Sequence, residues 1–143
     1  MPCLAVTISV GILTSCITDS EQAVKKEIDR LQGRWKPVAV QDSGDNASPE
    51  EMEKIIVIVN GERLTFDFGD ERQECTIKVD STKNAKEIDL RDAKKQGKAM
   101  LGIYAVDGNN LKLYVDRDPN NPRPTQFKTK KGDDKLLYCL KRL

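Results

Sequence analysis

Histidine is missing from this sequence, and its absence restricts the chemistry that the chain can carry out. The 143 residues include 23 aspartates and glutamates, 24 lysines and arginines and four cysteines. Imidazole is the usual base that activates serine and cysteine nucleophiles, and it is the commonest ligand of catalytic zinc. Any catalysis would therefore depend on carboxylates, lysine, tyrosine or cysteine.

The carboxylates that could form an acid and base pair lie on predicted strands. Asp67, Glu74 and Asp89 each alternate with apolar residues, so we expect their side chains to point away from the core into solvent. A catalytic pair needs two carboxyl groups that face one cleft and have separated pKa values. We therefore predict that the protein is not an enzyme; an enzyme that uses carboxylates or tyrosine is the less favoured alternative.

No metal site or cofactor site is predicted either. The segment Asp116–Asn120 resembles the start of a calcium loop, but Asn121 stands where glycine is needed and Phe127 stands where a bidentate glutamate is needed. We interpret this segment as a rigid turn. Glycine-rich phosphate-binding motifs do not occur in the sequence.

The apolar segment Leu4–Ile17 predicts an exported leader. Its length of about 14 residues is short of the roughly 20 needed to span a bilayer, but it suits the apolar core of a signal peptide. The string Leu13-Thr14-Ser15-Cys16 resembles the lipobox of bacterial lipoproteins, which predicts lipidation of Cys16 and a leader over residues 1–16. The alternative is a buried N-terminal strand or helix of a cytosolic domain, because a basic region before the apolar segment is missing.

The other two cysteines after the leader, Cys75 and Cys139, lie within apolar strand patterns. An exported protein can form a disulfide between them. Free cysteine is also a common small residue of protein cores, so both states stay open.

The charge balance gives no indication of a polyanionic partner. The formal net charge is +1, and acidic neighbours offset the small basic clusters at Lys94-Lys95 and Lys128–Lys131. We predict no binding to nucleic acid, and contact with a membrane only through a lipid at Cys16. The protein is expected in the cell envelope, as an anchored lipoprotein or in the periplasm.

Short strands that follow one another through tight turns make up most of the remaining chain. Residues 17–30 read as a linker and a short amphipathic helix, because Val24, Ile28 and Leu31 recur at helical spacing. Asn60-Gly61 and Asp107-Gly108 are strong hairpin signals. Strands are predicted over 34–41, 55–59, 62–68, 71–79, 86–91, 99–106, 110–115 and 135–141, with a short helix after Ser48 and an extended piece at 125–128.

The absence of long helices between these strands favours an antiparallel meander. A strongly twisted sheet of this size tends to close on itself, which removes its exposed edges. The sequence therefore predicts an all-β, up-and-down barrel of about eight strands over residues 31–143, preceded by a short helix. Such barrels are filled with side chains or hold one small ligand.

Several strings along this region resemble a known family. They are Leu31–Lys36 (LQGRWK), Ile88-Asp89-Leu90, Leu101–Tyr104 (LGIY), and Arg123-Pro124-Thr125 with Phe127. They are similar to uncharacterised, exported bacterial domains that are expanded in planctomycetes and described as lipocalin-like. The resemblance implies a barrel in an extracytoplasmic setting, in which Gly33 and Trp35 close the barrel floor, and it implies no established activity.

The aromatic residues offer two interpretations of the barrel interior. Trp35, Phe66, Phe68, Tyr104 and Tyr138 could line a cavity for a small apolar ligand, or they could fill the core. The first interpretation predicts a non-enzymatic binding module, and the second predicts a structural or interaction module whose partners dock on loops such as Arg117–Arg123. A monomer is expected in both cases.

Overall fold

A computed structural model describes residues 19–95 and 97–143, which form one antiparallel barrel with two helices. The predicted leader, with Cys16, lies outside the described residues. The helices are α1 (Asp19–Leu31) and α2 (Pro49–Glu53). The strands are β1 (Gly33–Asp42), β2 (Asp45–Asn46), β3 (Ile56–Asn60), β4 (Arg63–Asp67), β5 (Arg72–Asp80), β6 (Lys86–Asp92), β7 (Met100–Asp107), β8 (Asn110–Asp116) and β9 (Lys135–Arg142).

Eight of the strands close into a barrel. Strands β3 to β9 pair in chain order, and β1 pairs with both β3 and β9. The two-residue strand β2 pairs only with the last two residues of β1 and is not part of the closed barrel. This arrangement confirms the predicted all-β, up-and-down barrel with a short N-terminal helix.

The barrel interior holds the core because alternate side chains of each barrel strand point inward. On β5, for example, Cys75, Ile77 and Val79 are buried, whereas Thr76 and Lys78 are exposed. Pro37 sits where the register between β1 and β9 shifts, which is a position in a sheet that tolerates proline.

Helix α1 covers one end of the barrel, which we call the closed end. Ile28 and Leu31 belong to the buried core, and the indole Nε1 of Trp35 donates a hydrogen bond to the Leu31 carbonyl at 2.9 Å. Gly33, at a φ of 121°, lets the chain turn from the helix into β1. No helix of residues 19–95 and 97–143 is both long enough and apolar enough to cross a membrane.

Two hairpin turns at the closed end differ from the predicted ones by one residue. Asn60 pairs with Arg63 and Asp107 pairs with Asn110, so the two-residue loops begin at Gly61 and Gly108. The glycine is the only residue of each loop with a positive φ, which is the pattern of a type II′ turn. The prediction that Asn60 and Asp107 lie within these loops was therefore wrong.

Residues 117–134, which we call the outer loop, connect β8 to β9 at the other end, the mouth. Residues 126 and 127 form a bend, and the N–H of Lys128 donates to the carbonyl of Gln126 at 2.9 Å, so the predicted extended piece at 125–128 was wrong. It folds against the outside of the barrel, where the Tyr114 hydroxyl donates to the carbonyl of Lys128 and the rings of Tyr114 and Phe127 lie 6.3 Å apart.

Candidate functional site: a recess at the barrel mouth

An open recess of about 430 Å³ occupies the mouth half of the barrel. Its volume is within the range of roughly 300–1,000 Å³ that is typical of ligand pockets. Most of its wall is apolar, and its polar side chains are few. The lining residues are Asp42, Phe66, Phe68, Gln73, Leu90, Met100, Val115, Arg117, Leu136 and Tyr138.

Strand register explains why these side chains share one space. Phe66 lies opposite Gln73, Leu90 lies opposite Met100, and Val115 lies opposite Leu136. Because directly opposed residues on neighbouring strands point to the same face, each pair places two side chains in the interior.

Three of the five aromatic residues predicted to line a cavity come together in this recess. The rings of Phe66 and Phe68 are nearly parallel, with centroids 6.3 Å apart. The Tyr138 ring lies 5.3 Å from that of Phe66, at an angle of 34°. The three rings form a continuous aromatic wall, which suits contact with apolar or planar groups.

The other two predicted cavity residues, Trp35 and Tyr104, do not line the recess. Both are buried at the closed end, where the Arg142 guanidinium lies 4.2 Å from the centre of the Trp35 ring and the Tyr104 hydroxyl donates to Glu27 at 3.0 Å. Alternation predicts that a side chain points inward, but it does not give its depth along the barrel axis. The cavity assignment of these two residues is therefore corrected to a filling role.

Four polar side chains face the recess. Arg117 and Asp42 form an ion pair at its rim. The hydroxyl of Tyr138 and the amide of Gln73 have no hydrogen-bond partner within residues 19–95 and 97–143. Burial raises the pKa of Tyr138 to about 12, while the positive charge of Arg117 lowers it and the negative charge of Asp42 raises it. The hydroxyl therefore keeps its proton at neutral pH and is available as a donor.

Glu27 at the closed end is a buried polar residue that the sequence analysis missed. Its carboxylate accepts hydrogen bonds from the Lys86 ammonium at 2.7 Å and from the Tyr104 hydroxyl at 3.0 Å, and Arg30 lies 3.6 Å away. The sequence does contain a signal. Glu27 lies three residues after Val24 and four before Leu31, which places it on the apolar face of α1.

The two cysteines of the barrel are free thiols on opposite faces of the wall. Cys75 points into the core, whereas Cys139 lies between the inward-facing Tyr138 and Leu140 and therefore faces outward. Burial, followed by the negative charge of Asp92, raises the pKa of Cys75 to about 11. Of the two possible states of these cysteines, the structure has the unbonded one, and the Cys75 thiol is poorly suited to act as a nucleophile.

The candidate acidic residues lie on the outer face, as predicted. Each pairs with an arginine: Asp67 with Arg72 at 3.0 Å, Glu74 with Arg63 at 3.5 Å and Asp89 with Arg123 at 2.6 Å. Within the described part of the chain, no group of three or more acidic or cysteine residues is placed to hold a metal ion.

The segment that resembles a calcium loop forms a rigid turn. The Asp116 carboxylate is buried, and it accepts from the backbone N–H of Asp118 at 2.9 Å and from the side-chain amide of Asn121 at 3.2 Å. Asp118 in turn accepts from the N–H of Asn120 at 2.9 Å. These carboxylates satisfy donors of their own loop, which fits the interpretation made from the sequence.

A second recess of about 480 Å³ lies between α1 and strands β5 and β6. Its wall includes Val24 and four charged side chains: Glu62, Lys78, Asp89 and Arg91. The mouth recess is less charged and has the aromatic wall, so it is the stronger candidate for an apolar ligand.

Comparison with known proteins assigns no family to this chain. Among models of known families, curated proteins and solved structures, none matches the chain significantly. The chain is therefore characterised by its own geometry, an eight-stranded barrel with a helix over one end and an aromatic-walled recess at the other.

Proposed function

We propose that this protein is a non-enzymatic binding module that takes one small apolar or amphipathic molecule into the recess at the barrel mouth. The observation that carries the proposal is the mouth recess itself, about 430 Å³ inside the barrel with a mostly apolar, partly aromatic wall. Burial of a ligand there would remove the exposed parts of these walls from water, which is the main source of affinity for apolar molecules.

The other interpretations have weaker support. An enzyme would need a convergent polar cluster, but the acidic side chains considered above pair with arginines on the outer wall. An interaction module that docks partners on Arg117–Arg123 would need free side chains. Arg123 is bonded to Asp89 and to strand carbonyls, so its guanidinium is already used in holding the loop on the barrel.

The proposal also places the protein in the cell envelope, among exported lipocalin-like domains, with a lipid on Cys16. Its support is the apolar segment that ends in Leu13–Cys16 and, for the fold, the closed barrel. In a bacterial host, Cys16→Ser should move the protein from the membrane fraction to the soluble fraction. A variant that stays with the membranes would rule out the lipid anchor.

Ligand uptake can be tested with a variant that fills the recess. Leu136→Trp adds an indole to the wall, and we expect uptake of an environment-sensitive apolar dye, and its displacement by decanol, to weaken by about tenfold or more, a loss of about 1.4 kcal/mol. Val38→Trp is the matched control, because Val38 is 58% exposed on the outer wall. Native mass spectrometry should show one ligand per chain.

Two results would contradict the proposal. One is a wild-type protein that takes up neither dye nor decanol. The other is a Leu136→Trp variant that is folded, as judged by circular dichroism and cooperative unfolding, and still binds as tightly as the Val38→Trp control.

A further inference from the structure

We infer that the ligand of the mouth recess is an amphipathic carboxylic acid whose carboxylate binds Arg117 and whose apolar tail lies along the aromatic wall. This inference rests on the proposed function and adds the chemical class of the ligand. The inference is drawn from the four polar side chains that face the recess. They are one cation, one anion and two neutral groups: Arg117, Asp42, Tyr138 and Gln73.

Arg117 is the only cationic side chain among the described residues that line the mouth recess. Its Nη2 is bonded to Asp42, but Nε and Nη1 have no partner within residues 19–95 and 97–143. A guanidinium carries five N–H donors and can bind a carboxylate along an edge with two parallel hydrogen bonds. Asp42 takes one N–H of Nη2, so Arg117 can hold a second carboxylate at the same time through the other N–H of Nη2 and the neighbouring free N–H of Nε or Nη1.

The backbone of Arg117 is fixed at the start of the outer loop. Its N–H donates to the carbonyl of Asp134 at 2.8 Å, where the loop returns to β9. The side chain is 42% exposed, so water now solvates the unused donors. A ligand carboxylate would replace that water with charge-assisted hydrogen bonds, which are roughly twice as strong as neutral ones.

Tyr138 and Gln73 supply further donors inside the recess. The Tyr138 hydroxyl keeps its proton at neutral pH, and the Gln73 amide carries an NH₂ group. At Asp42, Oδ1 already accepts from Arg117 and from the Ser43 hydroxyl, and the adjacent guanidinium opposes a second cation at Oδ2. The free hydrogen-bonding capacity of the rim is thus mainly that of donors, which favours an anionic head group over an ammonium.

Below the rim, the wall suits an uncharged tail. The deeper lining consists of the aromatic wall together with Leu90, Met100, Val115 and Leu136. Trp35 and Tyr104 fill the space beyond, toward α1, which limits how far a tail can enter. We therefore expect tails of moderate length to fit better than long ones.

Three probes with one tail and different heads test the head-group preference: decanoic acid, decanol and decylammonium at neutral pH. We expect decanoate to bind about tenfold more tightly than decanol, and decylammonium to bind more weakly than decanol. Arg117→Gln should reduce decanoate binding to the level of decanol and leave decanol binding unchanged. Arg34→Gln, at an exposed position of β1 that lines neither recess, is the control and should change neither.

Asp42→Asn provides a second test that keeps Arg117 in place. Because it removes the negative charge that competes for the guanidinium, decanoate should bind a few times more tightly and decanol should be unaffected. Equal binding of decanoate and decanol by the wild-type protein would overturn the inference and leave the proposed function standing. Failure of all three probes to bind would overturn the proposed function, and the inference with it.

Discussion

Glu27 places a carboxylate in the core at the closed end of the barrel, where its partners come from two different strands. The side chain is only 5% exposed and joins α1 to Lys86 of β6 and Tyr104 of β7. Glu27→Gln removes the negative charge but leaves both partners in place. We expect the free energy of unfolding to fall by about 2 kcal/mol, because breaking a buried ion pair leaves its partner uncompensated. Urea denaturation followed by Trp35 fluorescence measures this change.

Glu74→Gln is the matched control for this prediction. Glu74 makes a similar pair with Arg63, but the two side chains are 36% and 60% exposed, so the same substitution should cost less than about 1 kcal/mol. Equal losses in the two variants would show that Glu27 does not attach α1 to the barrel.

At high pH, stability should fall because burial raises the pKa values of the tyrosines, as it does that of Cys75. All three tyrosines of the chain have raised pKa values: burial raises those of Tyr114 and Tyr138 from 10.0 to about 12, and burial followed by the charge of Glu27 raises that of Tyr104 well above its usual range. Above pH 10 the unfolded chain loses protons that the folded chain keeps, so stability falls as pH rises. Below this range the tyrosine contribution is constant.

Ultraviolet titration of tyrosinate measures this behaviour directly. In the folded protein we expect no phenol to ionise with a midpoint near pH 10, whereas the denatured chain should titrate there. The free energy of unfolding should decline between pH 10 and 12. A folded-state phenol that titrates near pH 10 would contradict this account of burial.

Sequence patterns predict the burial of a single side chain well where strand alternation alone decides whether it faces the core or solvent. They place Cys75 in the core and Asp89 on the outer face, and the structure agrees. They failed for Tyr114, which alternates outward on β8 and is nevertheless fully buried. Its cover comes from the outer loop, and the packing of a long loop is not encoded in the period of the strand beneath it.

At the scale of elements, Arg123 holds the outer loop on the barrel. It donates to the carbonyls of Ile88 at 3.1 Å and Gly102 at 2.9 Å, and it pairs with Asp89 at 2.6 Å. Arg123→Ala should release the loop and expose Tyr114. We expect stability to fall by about 2 kcal/mol and cleavage within the loop during limited proteolysis to accelerate.

Arg72, another arginine in a salt bridge, provides the control for the Arg123→Ala prediction. Arg72→Ala removes a partner of Asp67 on an exposed strand end, where the arginine is 64% exposed, and it should leave proteolysis of the loop unchanged. If Arg123→Ala is cleaved no faster than this control, other contacts hold the loop.

Element boundaries followed from hydrophobic alternation, and turns from glycine. The strand over 135–141 and the capped helix that begins after Ser48 were predicted from the sequence, and both are present. Both glycine turns begin one residue later than predicted. A glycine after Asn or Asp can be the second residue of a type I′ loop or the first residue of a type II′ loop, and only the pairing of the strands distinguishes the two.

For the whole molecule, closure of the barrel was predictable because eight short strands with one apolar face need a common interior. The position of the recess was not. Strand alternation assigned five aromatic residues to one cavity, whereas the helix covers one end and separates Trp35 and Tyr104 from the other three. Depth along the barrel axis depends on strand stagger and on the docking of α1, which are long-range properties of the fold.

NMR of the methyl groups shows most directly whether the mouth recess, and no other surface, takes up an apolar molecule. On titration with decanol or decanoate, the account predicts saturable shifts, at one ligand per chain, for the methyl groups of Leu90, Met100, Val115 and Leu136. Val24 and Ile28, beside the second recess, should remain unshifted. Shifts confined to Val24 and Ile28, or no saturable shift in the presence of either probe, would contradict it.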